Sequence, residues 1–174
     1  MRDIIGSIEG EFRRYKVLGE RAIEQLQDSE LSAPGPGEGN SIAVIVWHLS
    51  GNLKSRFTDF LTSDGEKLWR KRDEEFRFRQ VTRAELLQKW AEGWNTLFES
   101  LQSLSDDDLF KNVVIRGETF KAHEALHRLM AHAAYHAGQI VYLAKSFRGG
   151  DWKILTIPLG QSDAFNLNPK GQRP

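Results

Sequence analysis

Cysteine is absent from the 174 residues. That one absence removes disulfides, thiolate metal ligands and a cysteine nucleophile together. Any metal must then be held by His, Asp or Glu, and any thiol chemistry must use a thiol supplied from outside. A chain without cysteine also fits a reducing cytoplasm. There is no surplus of one charge either, since Lys plus Arg and Asp plus Glu number 24 each. This balance gives no reason to expect nucleic acid, an acidic membrane surface or a polyanionic partner, and no stretch reads as a basic helix face. Long apolar runs are missing too. Nothing approaches the roughly 20 apolar residues that span a bilayer. The opening MRDIIGSIEGEFRRYKVLGERA interrupts its apolar residues with charges in every turn, unlike a signal peptide. No internal repeat or low-complexity segment is visible. The expectation is a cytoplasmic protein with one domain over residues 1–174, a length that supports a single hydrophobic core.

What is present is helical periodicity, in four segments. From Asp3 to Gln27, the residues Ile4, Ile8, Phe12, Tyr15, Leu18, Ala22, Ile23 and Leu26 recur at three- and four-residue steps. SAPGPGEG then breaks the pattern. Asn40 and Ser41 offer caps for a second helix over Ile42–Leu61, with Ile42, Ile45, Val46, Leu49, Leu53, Phe57 and Phe60 as its stripe. Thr82 and Glu85 form a capping-box signature for a third helix through about Ser103, with Leu86, Leu87, Trp90, Trp94, Leu97, Phe98 and Leu101 giving the period. The fourth runs from Lys121 to Phe147 and ends at RGG. Between the second and third lies TSDGEKLWRKRDEEFRFRQ, a charged connection in which Trp69, Phe76 and Phe78 are expected to pin the chain. A connection this long is often functional. SDDDLFKN reads as a turn, and VVIRGETF as a small ribbon or extended chain. The tail from about residue 148 has no helical period. Trp152, Ile154, Leu155 and Ile157 are expected to pack back on the body, and the last few residues to fray. The fold class is therefore all-α, a four-helix bundle with a long crossover between helices 2 and 3. Trp47, Trp90, Trp94 and Tyr135 read as core or interface residues.

The histidines carry the chemical interest. Four of the five lie on the fourth helix. His132 and His136 are four apart, about 40° around the helix at about 100° per residue, and share the stripe of Leu129, Ala133, Ile140, Leu143 and Phe147. That spacing lets two imidazoles reach one ion. It also occurs in the H-E-x-x-H zinc peptidases, but Ala133 stands where their glutamate would be, which excludes that class. Such a pair alone is more often packing than a ligand set. The balance shifts if another helix supplies a third ligand, and His48, on the flank of the second helix's stripe, is the candidate. His123 and His127 point to the opposite side of the fourth helix. They read as surface residues, or in the case of His127 as a supporting or dimer-interface group.

VWHLSGN (46–52) followed by HAAYHAGQIVYLAK (132–145) resembles the DinB-like superfamily of DNA-damage-inducible, YfiT-like bacterial proteins, often labelled metal-dependent hydrolases. RFTDFLTSDGEK (56–67), RDEEF (72–76), IRGE (115–118) and ILTIPLGQS (154–162) resemble one uncharacterised branch of it. The resemblance implies a four-helix bundle, often dimeric, with a divalent metal on three histidines, which are His48, His132 and His136 here. Many members carry Arg after the last histidine, where this chain has Ala137. Three neutral imidazoles leave the ion an open position, which can lower the pKa of bound water to about 7 or hold a thiol as thiolate. Zn or Ni suits such a site best, and Fe and Mn also fit. The function implied is transfer of a low-molecular-weight thiol to a small electrophile, or hydrolysis of a small molecule. Hydrolysis would need a base near the metal. Asn52 and Gln139 cannot serve, so Asp59, Asp64, Glu66, Tyr135 or a crossover acid would have to. The alternatives are a non-catalytic metal-binding module and a helical interaction module.

Overall fold

The computed structural model describes residues 2–169. The expected fraying of the last residues concerns positions 170–174, which lie outside the described residues. The chain is mostly helical, with one small two-stranded sheet. Its four long helices are labelled α1 (Asp3–Glu24), α2 (Ile42–Phe57), α3 (Arg83–Gln102) and α4 (Ala122–Arg148). α2 packs along α3 and α1 along α4, while α2 and α4 share a narrower contact.

Each helix boundary has a local cause. Ser41 caps α2, its hydroxyl accepting the Val44 N–H at 3.2 Å. α2 stops at Phe57, short of the expected Leu61, because Thr58 leaves helical geometry and Asp59 adopts a positive φ of 50°, which a short polar side chain tolerates. Thr82 and Glu85 form the reciprocal capping box of α3 that the sequence predicts. α4 ends at Gly149, with φ 53°.

The core runs through all four helices, with Phe12, Leu49, Leu53, Trp90, Trp94, Leu126 and Ile140 among its fully buried side chains. Thirteen residues of α2 are buried, so this helix is covered on nearly every side. On α1, Ile5 rather than Ile4 faces inward. Gly19 completes that face, because a Cβ there would lie 2.7 Å from the Trp90 indole. Gly93 plays the same part between α3 and α2, where a Cβ would come within 2.6 Å of the Ser50 Cα.

VVIRGETF forms a ribbon, β1 (Asn112–Ile115) antiparallel to β2 (Glu118–Lys121), with Arg116 and Gly117 both at positive φ in its two-residue turn. SDDDLFKN contains a 3-10 turn over Asp106–Phe110. In the crossover, Arg72–Glu75 form a single helical turn. Phe76 packs on His48, but Trp69 and Phe78 are exposed and do not pin the chain. In the tail, Trp152 and Leu155 pack against the core, whereas Ile154 and Ile157 are largely exposed, and Ser162–Leu167 form a short helix that the pattern did not predict. No helix among the described residues is long and apolar enough to cross a membrane.

Candidate metal centre

The narrow α2–α4 contact brings His48, His132 and His136 together. His48 projects from a buried turn of α2, and His132 and His136 come from successive turns of α4. Their Nε2 atoms converge, with His48 3.3 Å and His136 3.0 Å from His132. His48 and His136 are buried, and His132 is half-buried. His123 and His127 stand apart, beside Phe110 on another face of α4.

The outer nitrogens fix which atoms face inward. Glu75, on the crossover's helical turn, accepts from His48 Nδ1 at 2.9 Å. It is itself held by Arg70, whose Nε and Nη2 donate to its two oxygens at 2.8 and 2.9 Å. Burial alone would raise the Glu75 carboxyl, but the hydrogen bonds from His48 and Arg70 hold it below the ordinary carboxylate range. A carboxylate can only accept, so His48 carries a proton on Nδ1, and in the neutral ring Nε2 turns its lone pair inward. Gln139 Oε1 lies 2.7 Å from His136 Nδ1 and fixes that ring in the same sense. Gly51 makes the Glu75 contact sterically feasible, since a Cβ there would run into the Glu75 carboxylate.

His132 and His136 are neutral at physiological pH. Burial, then the neighbouring His136 and His48, pushes His132 down to about 3. Burial pushes His136 down to about 4, against the raising effect of Gln139. Two inward lone pairs and one further imidazole cannot satisfy one another through protons alone, because His132 Nε2–H can donate along only one of the two short contacts. A cation satisfies all three. Metal–nitrogen distances of about 2.0–2.1 Å with angles of about 90–110° require N···N edges of about 2.9–3.4 Å, and the 3.0 and 3.3 Å contacts lie in that range. These three residues could therefore hold a metal ion.

The site opens into a cavity of about 370 Å³ lined by His48, His132, Asn52 and Leu129, together with Arg56, Arg70, Arg72, Arg116 and Arg128, Ile115 and Glu118. None of the four named candidate bases lines it. Asp64 accepts backbone N–H groups of Glu66, Arg116 and Gly117. Glu66 pairs with Arg56 and Arg116. Tyr135 is exposed beside His136, and Asp59 sits in the turn that ends α2. The crossover acid that does reach the site, Glu75, lies behind His48. The sequence reading missed Glu75, Arg70 and the arginine lining. The available signals were RDEEF and the glycine of VWHLSGN, together with the rule that a metal-binding histidine donates its other N–H to an acceptor.

Residues 2–161 match the model of a family described as "Protein of unknown function (DUF1572)". The chain belongs to this family. The match spans all four long helices, the ribbon and the three clustered histidines, so the DUF1572 region contains the whole candidate site. No curated protein matches the chain. Ala137, where the resembling superfamily often has Arg, is fully buried in this DUF1572 member and lies against the core rather than in the cavity.

Proposed function

We propose that this protein is a four-helix bundle of the DinB-like kind, with one domain over residues 1–174, and that His48, His132 and His136 hold one divalent metal, Zn or Ni before Fe or Mn. The observation that carries the reading is the convergence of three Nε2 atoms beside a cavity that His48 and His132 line. A metal there would supply Lewis acidity and would stabilise an anionic ligand such as a thiolate. The chain's own residues do the rest. Glu75 and Gln139 orient two of the imidazoles, Phe76 covers the His48 ring, and the cavity admits a small-molecule substrate to the open side. That open side favours an enzyme over a closed site that merely stiffens the bundle.

Transfer of a low-molecular-weight thiol to a small electrophile fits better than hydrolysis. Among the described residues, Glu118, which is exposed, is the only carboxylate in the cavity lining, and Glu75 is committed to His48 and Arg70. Transfer needs no thiol from the protein, which has none. We place the protein in the cytoplasm as a homodimer, a reading supported by the exposed Tyr135 and Tyr142, seven residues apart on α4.

The test is a screen of metal-loaded protein with low-molecular-weight thiols and a chromogenic aryl halide, alongside a panel of ester and amide substrates, with His48→Ala as control. Thiol-dependent turnover lost in the variant supports transfer. Hydrolysis without thiol assigns the hydrolase version, and a stoichiometric metal with neither activity assigns a binding module. Light scattering reads the dimer.

A further inference from the structure

Positive charge is segregated into this cavity although the chain as a whole is balanced. Five arginines and one glutamate line it, and the arginines come from four places: Arg56 on α2, Arg70 and Arg72 in the crossover, Arg116 at the ribbon turn, and Arg128 on α4. Arg70 is the innermost, with a side chain 2% exposed. Glu75 occupies its Nε–Nη2 edge, but Nη1 is buried and has no partner among the described residues. A guanidinium bound along one edge still presents a second, Nη1–Nη2, whose fork matches two oxygens of a carboxylate or phosphate. Asn52 Oδ1, from another lining residue, is likewise buried without a partner. A buried donor and a buried acceptor left open in one cavity describe a ligand with the opposite groups.

The outer arginines complete the picture. Arg56 donates to the Gly65 carbonyl and shares Glu66 with Arg116, so that pair is partly neutralised. Arg128 makes no ion pair among the described residues, and the nearest acid to Arg72 is Asp73, at 3.9 Å. Both are exposed and give the cavity a positive rim.

We propose that the cavity binds a small molecule bearing an oxyanion group, a carboxylate or a phosphate, seated on the free edge of Arg70, with a hydroxyl or amide N–H of the same molecule donating to Asn52 Oδ1 and the rim arginines drawing it in. The cavity's volume lies within the range of about 300–1,000 Å³ usual for small-molecule sites. The anion contact does not depend on a metal. The proposal rests on the three-histidine reading only for what lies beside the ligand's other end.

Calorimetric titration of the metal-free protein with succinate, inorganic phosphate and neutral succinamide tests it, with metal-loaded protein as a parallel arm. Arg70→Lys keeps a cation for Glu75 but removes the fork, and Arg128→Ala changes an exposed rim residue without touching the histidines. Saturable binding of succinate or phosphate but not succinamide is expected, weakened about tenfold or more by Arg70→Lys and about threefold by Arg128→Ala. The tighter of the two anions names the group. Anion binding no tighter than succinamide in wild type, or affinity unchanged in both variants, overturns the proposal. Failure of the metal reading would instead appear as absent metal uptake with anion binding intact.

Discussion

Replacing Glu75 by glutamine isolates the work of one buried charge while keeping side-chain size. In the native arrangement Glu75 Oε2 accepts from both His48 Nδ1 and Arg70 Nη2, and Oε1 accepts from Arg70 Nε. Glutamine has one acceptor and one donor group. With its NH2 at the Oε2 position it faces two donors, and with its NH2 at the Oε1 position it faces Arg70 Nε–H. Either way a donor meets a donor beside a guanidinium that has lost its counter-charge. Breaking a buried pair by removing one partner costs about 3–5 kcal/mol. Because glutamine keeps part of the contact, a cost at or just below the lower end of that range is expected, about 2–4 kcal/mol. For a chain of this length, that lowers the melting temperature by about 5–15 °C. His48 is left with at best a neutral amide acceptor in place of the carboxylate, and weakening such a partner is expected to lower metal affinity by about tenfold, the low end of the roughly 10–100-fold cost of losing it. The assays are thermal unfolding of the metal-free protein and competition for Zn against a chromogenic chelator. A folded variant with an unchanged melting temperature and a Zn affinity within about twofold of wild type would refute the reasoning, because Glu75 would then be neither a stabilising partner nor an orienting one.

Other consequences follow from the same contacts. His132 and His136 titrate at about 3 and about 4 in the folded chain against 6.5 ordinarily, so the unfolded chain takes up protons first as pH falls. Their contribution to stability is full above about pH 6.5 and is lost progressively as pH falls through about 4 for His136 and about 3 for His132. The denaturant midpoint of metal-free protein should therefore drop between pH 7 and pH 4, and more steeply than in His132→Ala. Gly93→Ala presses a methyl onto Ser50 of the facing helix and should cost about 1–3 kcal/mol in chemical unfolding. Gly138→Ala, in open space on α4, should stabilise by about 0.5–1 kcal/mol; a destabilised Gly138→Ala would show that this face is covered. Asp64→Ala removes the acceptor of three backbone N–H groups, two of which, at Arg116 and Gly117, tie the crossover to the ribbon. It should lower stability by about 1–2 kcal/mol and speed proteolysis near Arg116, read by mass spectrometry of a timed digest.

The long helices were legible because each carries a stripe at helical spacing and a local stop or start, such as the Thr82–Glu85 box or the glycine after Arg148. Their ends were less so. Asp59 stops α2 through a backbone conformation that no periodicity records. Ile4 and Ile5 are adjacent apolar residues, and only packing against the rest of the chain decides which turns inward. The histidine cluster could be anticipated because two members share one helix face and the third flanks the stripe of another. Glu75 was harder to single out from the acids of RDEEF, since it lies 27 residues beyond its partner, in a segment without period, and reaches it by way of the gap at Gly51. The arginine lining was hidden for a related reason. Its members are scattered through the chain, each within four residues of an acid, and the charges sum to nothing until the fold collects one sign around one cavity.

Metal content of the purified, tag-free protein, measured by elemental analysis beside His132→Ala, tests the central claim most directly. The account predicts about one divalent ion per chain in wild type and its loss from a variant that remains folded. Wild-type protein that is metal-free as purified and takes up neither Zn nor Ni at micromolar concentrations would contradict it, leaving the three histidines as packing residues.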